Sequence, residues 1–146
     1  MSIRKFMFFA LISCFFSNAI AHTISDSTWI TLDDKTGKPR AEVQLENHDG
    51  VVSGRILSVH RQTNDKGICV KCPGQFKNQP IEGITFLWGM KQEGLHNWSG
   101  GKILDPKTGK IYHAKMLLKG NKLYVRGYIG VSMIGRTQIW ERKSAS

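Results

Sequence analysis

Beyond residue 21, apolar side chains recur at every second position in runs broken by Gly, Asn and Asp. This is the signature of half-buried antiparallel strands. In one run Ala41, Val43 and Leu45 share a face opposite Glu42, Gln44 and Glu46. In another, Leu123, Val125 and Ile129 alternate with Lys122, Tyr124, Arg126 and Tyr128. The pattern predicts eight strands, at Thr28–Asp33, Arg40–Glu46, Val51–Val59, Ile84–Met90, Gly101–Leu104, Lys110–Leu118, Lys122–Ile129 and Arg136–Arg142. No stretch carries a long helical stripe.

The breaks between runs have turn chemistry. Leu32-Asp33-Asp34-Lys35-Thr36-Gly37-Lys38 and Leu104-Asp105-Pro106-Lys107-Thr108-Gly109-Lys110 agree at six of seven positions. Each reads as a hairpin in which Asp caps the turn and Gly takes the left-handed conformation. Similarity stops outside those residues, so one turn solution is used twice and no domain is duplicated. Asp49-Gly50 and Gly120-Asn121 mark further turns.

Residues 60–83 have no clear periodicity and contain Pro73-Gly74, Pro80, Cys69 and Cys72. A loop of that length in a compact domain is usually functional or disordered, and its cysteine pair predicts an ordered lid or flap. Eight strands in one flat sheet would leave two costly open edges. Closing into a small antiparallel β-barrel removes them, and a barrel of about eight strands is filled by side chains or holds one small ligand.

Length and charge refine this picture. The 146 residues allow one small domain and leave no room for a two-halved dinucleotide fold. Residues 1–21 combine basic Arg4 and Lys5, an apolar run from Phe6 to Phe16, and Ala19-Ile20-Ala21. They read as a secretory signal peptide cleaved after Ala21, which makes the protein periplasmic or secreted. A competing reading takes Leu11-Ile12-Ser13-Cys14 as a lipobox and Cys14 as a lipid anchor, at the expense of an unusually short leader. Residues 22–146 then form the single domain. They keep 19 Lys and Arg against 11 Asp and Glu, a net charge of +8. Such a field favours anionic partners, such as lipopolysaccharide, phospholipid headgroups or acidic glycans, or serves solubility alone. An exported chain without a recognition helix is not expected to bind nucleic acid.

Candidate chemistry is sparse. An oxidising compartment favours a local Cys69–Cys72 disulfide. A redox pair would need a helix N-terminus where Pro73-Gly74 instead predicts a turn, and zinc would need two more ligands with only His60 near. His48, His96 and His113 show no ligand spacing, and no Gly-x-Ser-x-Gly elbow occurs. The expectation is a non-enzymatic protein without metal or cofactor.

Several ordered strings run through the chain: Asn78-Gln79-Pro80-Ile81-Glu82-Gly83, Trp98-Ser99-Gly100-Gly101-Lys102-Ile103-Leu104-Asp105-Pro106, Gly109-Lys110-Ile111-Tyr112, Leu123-Tyr124-Val125-Arg126-Gly127-Tyr128-Ile129-Gly130 and Gly135-Arg136-Thr137-Gln138-Ile139-Trp140. With Trp29 they resemble the bacterial exported proteins of the domain-of-unknown-function 2147 family across nearly all of residues 27–142. The resemblance implies a secreted or periplasmic barrel related to the lipocalin-like calycins. It brings no established activity and no catalytic residues, and the chain departs from the commoner pattern around Cys69 and Cys72.

Two faces stand out within those strings. Arg126 and Tyr128 share a face of one strand, while Arg136, Gln138 and Trp140 share a face of the next. If these faces line the barrel, two guanidinium forks stand beside aromatic walls, with Tyr112 nearby, ready for a carboxylate, phosphate or glycan. The competing reading points them to solvent, or packs Trp140 over the barrel end beneath an arginine. Trp29 and Trp88 are expected in the core or at a barrel end. The leading expectation is a barrel that binds a small anionic or amphipathic molecule or an envelope surface. A protein-interaction module and a thiol–disulfide role for the cysteine pair are the alternatives.

Overall fold

The computed structural model describes residue 24, residues 27–61 and residues 63–144. The predicted leader and cleavage site, and Cys14, lie outside the described residues. The chain forms eight strands: β1 Ser27–Leu32, β2 Pro39–His48, β3 Val51–Val59, β4 Thr85–Gln92, β5 Asn97–Asp105, β6 Lys110–Lys119, β7 Lys122–Tyr128 and β8 Gly135–Arg142. Each pairs antiparallel with the next, and β8 returns to β1, closing the barrel. The closed eight-stranded barrel is thus the expected fold, and no sheet edge remains.

Alternation decides what faces inward. Val43 and Leu45 of β2, Ala114, Met116 and Leu118 of β6, and Leu123 and Val125 of β7 are buried. Between them stand Glu42, Gln44, Lys115, Tyr124 and Arg126, on an outer face too polar for the apolar band of a membrane barrel. No helix among the described residues is long and apolar enough to cross a membrane.

The largest departure from the predicted strands is in β5, which starts at Asn97 rather than Gly101. Ser-Gly-Gly reads locally as a turn, yet the β5–β6 register shifts between Trp98 and Gly101, so these residues form a bulge inside the strand. A side chain on Gly101 would collide with the Trp88 carbonyl of β4. A second bulge falls in β4: Gly54 pairs with Leu87 and Arg55 with Thr85, leaving Phe86 without a partner of its own. Phe86 and Leu87, although consecutive, are both buried.

The up-and-down order puts the β1–β2, β3–β4, β5–β6 and β7–β8 connections at one end. At the other end the barrel is plugged. Trp29 is fully buried, the Arg142 guanidinium lies 4.5 Å from its ring centroid, and its indole N–H donates to the Ile24 carbonyl at 3.4 Å. Burial pulls the Arg142 pKa below its ordinary value. Trp88 is half-buried and packs against the core from its edge, beside Phe76, with ring centroids 5.8 Å apart.

Phe76 belongs to the long β3–β4 connection, here called the strap, which is ordered over its described residues. It contains a short 3-10 turn, Gly74–Phe76, and a bridge between Ile68 and Pro80. Cys69 and Cys72 are buried, their sulfurs lie at bonding distance, and their Cα atoms are 5.4 Å apart.

Candidate functional site: the open end of the barrel

The open end leads into a cavity of about 1400 Å³. Much of its wall is apolar, formed by Val43, Ile56, Val59, Phe86, Ile103 and Val125. Fully buried Trp140 packs against Phe86, with ring centroids 5.8 Å apart. Beside them Tyr112, paired with Ile103, and Gln138, paired with Val125, supply polar groups, and Lys38, Arg40, Lys71, Lys107 and Arg136 border the mouth. The arrangement is largely apolar within and basic at the rim.

Each rim group is set by its turn. Asp33 Oδ1 accepts from the backbone N–H of Lys35 at 3.0 Å and of Thr36 at 2.9 Å, while Gly37 closes the turn at φ 67°. These bonds, with the Thr36 hydroxyl, hold the Asp33 carboxyl below its ordinary pKa. In the sequence-related β5–β6 turn, Asp105 accepts from Lys107 N–H at 3.0 Å and from the Thr108 hydroxyl at 2.9 Å, with Gly109 at φ 74°. The two turns therefore repeat one geometry on opposite sides of the rim.

The strap forms one wall of the mouth, through Asp65, Ile68, Val70, Lys71 and Ile81. It is fastened at two places. Glu82 accepts from the Val59 N–H at 3.0 Å and pairs with Arg61 at 3.1 Å, and the first of these bonds holds its carboxyl below the ordinary value. At its middle the Cys69 sulfur sits 3.5 Å from the Pro106 carbonyl, and a side chain on Gly109 would collide with the Lys71 carbonyl.

The six residues singled out in the sequence do not share one space. Tyr112, Arg136 and Gln138 line the cavity, and Trp140 lies beside its Phe86 wall. Arg136 arrives paired with Asp34. Arg126 is on the outer face, where its guanidinium donates to the Ser132 and Met133 carbonyls at 2.7 and 3.0 Å and to the Thr137 hydroxyl at 2.9 Å. Tyr128 borders the mouth, but its ring stacks on outward His113 at 5.6 Å. The expected pair of neighbouring guanidinium forks is therefore corrected: register places Arg136 opposite Gly127, one position out of phase with Arg126. Sequence reading missed Arg40, Lys38 and the strap's apolar residues, whose only signal was a basic charge spread along the chain. No group of three or more His, Cys, Asp or Glu able to hold a metal occurs among the described residues.

A closed up-and-down barrel with one plugged end and one open end is a lipocalin-like fold. Among solved structures it is similar to protein HP1028 from Helicobacter pylori, described as belonging to the lipocalin family. The two share 21% identity over 81% of this chain and 82% of that one, with a TM-score of 0.70. The chain belongs to the DUF2147 family, described as an uncharacterized protein conserved in bacteria, whose pattern covers residues 27–142. No curated protein matches it.

Proposed function

We propose that this is an exported, non-enzymatic barrel that binds one small amphipathic molecule with an anionic or polar head. The carrying observation is the open cavity of about 1400 Å³, largely apolar within and ringed by Arg136, Arg40, Lys71 and Lys107. Binding pockets for small molecules typically enclose about 300–1,000 Å³, so the space suffices for a drug-sized ligand and its hydration. In this reading the tail lies against Ile56, Val59, Phe86 and Val125, while Tyr112 and Gln138 orient the head towards Arg136. The thiol–disulfide alternative has less support, since both cysteines are buried and a reactive thiol needs exposure.

Native mass spectrometry of the processed protein, purified gently from its own envelope, tests the proposal. The expected result is an adduct that is lost on denaturation and is weakened by Arg136→Gln. An adduct-free mass, together with no uptake of an added fatty acid, would overturn it. The same spectrum reports whether the chain begins at His22.

A further inference from the structure

Next to Arg136, the β7–β8 loop holds four aliphatic side chains out in water: Ile129 at 60% exposure, Val131 at 60%, Met133 at 87% and Ile134 at 69%. Val70 of the strap, at the same mouth, is 61% exposed. Solvent exposure of so many apolar groups together is unfavourable unless something covers them. A loop free to fold over its own barrel would need slack. This one is pinned from the outer face, because Arg126 binds the Ser132 and Met133 carbonyls. A further backbone bond joins Ile129 N–H to the Ile134 carbonyl at 3.2 Å.

We infer that this loop is a wedge by which the open end of the barrel docks onto an anionic phospholipid bilayer. The surrounding charge has the matching sign: segments 33–40, 60–83, 105–110 and 129–136 carry ten Lys and Arg against five Asp and Glu. Basic side chains around an aliphatic tip suit a negatively charged lipid surface, where the tip enters the acyl boundary and the cations meet the headgroups. Protein partners are engaged chiefly through Trp, Tyr and Arg anchors, and this tip has no aromatic residue. At the plugged end, Leu95 at 86% is the one comparably exposed large apolar side chain among the described residues. Docking would place the cavity mouth against the lipid, and it stands whether or not the cavity takes a ligand.

Vesicle co-sedimentation of the processed protein tests this, comparing vesicles of equal parts phosphatidylglycerol and phosphatidylethanolamine with vesicles of pure phosphatidylcholine. We expect binding to the anionic vesicles that weakens as salt is added. V131S combined with M133S, two exposed positions outside the cavity wall, should weaken it about tenfold or more. Leu95→Ser should leave it unchanged. The inference is overturned if the parent stays in the supernatant, if phosphatidylcholine binds equally, or if the double variant binds like its parent with an unchanged unfolding midpoint. It is also overturned if the parent forms a lipid-independent dimer that the double variant abolishes, which would assign the wedge to a second copy.

Discussion

The Arg136 guanidinium reaches the mouth already paired with Asp34, so any anionic ligand must compete with that carboxylate. Asp34 projects from a turn whose geometry depends on its neighbour Asp33. Asp34→Asn should therefore leave the turn intact and free the guanidinium, tightening the binding of an anionic amphiphile roughly three- to tenfold. Arg136→Gln should weaken it by a similar factor, as expected for a charge-assisted hydrogen bond. Titration calorimetry with a fatty acid and its methyl ester checks both, since the ester should be nearly indifferent to either change. Equal responses of acid and ester would remove Arg136 from the head site.

At the scale of elements, the two related turns have diverged in what surrounds their glycines. Gly37 has open space around it, whereas Gly109 lies under the strap. Alanine at either position meets the left-handed strain, roughly 1–2 kcal/mol. Only Gly109→Ala should also raise hydrogen exchange across strap residues 69–79, which separates loss of the turn from loss of the strap. The strap's other fastening predicts a pH dependence. Glu82 is held below its ordinary pKa of about 4.3, so its contribution is complete above that value and disappears as pH falls through the lower folded value. Strap exchange should rise in that acid window for the parent, whereas Glu82→Gln should show fast exchange already at neutral pH. How far these elements were legible follows from period two. In β7 the apolar alternates Leu123 and Val125 name the inward face, so Arg126 could be placed outside. In β8 both alternating sets mix polar and apolar groups, and only the register pairing Val125 with Gln138 settles that Arg136 turns inward. The bulges at Phe86 and at Ser99-Gly100 break the period itself, and no local pattern announces them.

For the molecule as a whole, closure is the non-local step. The seam between β1 and β8 pairs three positions, Trp29 with Arg142, Ile30 with Glu141 and Thr31 with Trp140, whereas β7 and β8 pair seven. Its strands lie near opposite ends of the domain, so the seam carries the greatest loop-closure cost and should form late. The Arg142 guanidinium over Trp29 sits on this seam, and the Lys143 N–H donates to the Thr28 carbonyl at 2.9 Å just beyond it. Arg142→Met keeps most of the side-chain stem and removes the charge above the indole, a loss of about 1–2 kcal/mol in a desolvated setting. If closure follows the transition state, nearly all of that loss appears as faster unfolding, roughly five- to thirtyfold, with refolding almost unchanged. Stopped-flow chevrons for the parent and Arg142→Met decide it. A refolding arm slowed as much as the unfolding arm is accelerated would place Trp29 and Arg142 in the folding nucleus, and the barrel would then form around its plugged end.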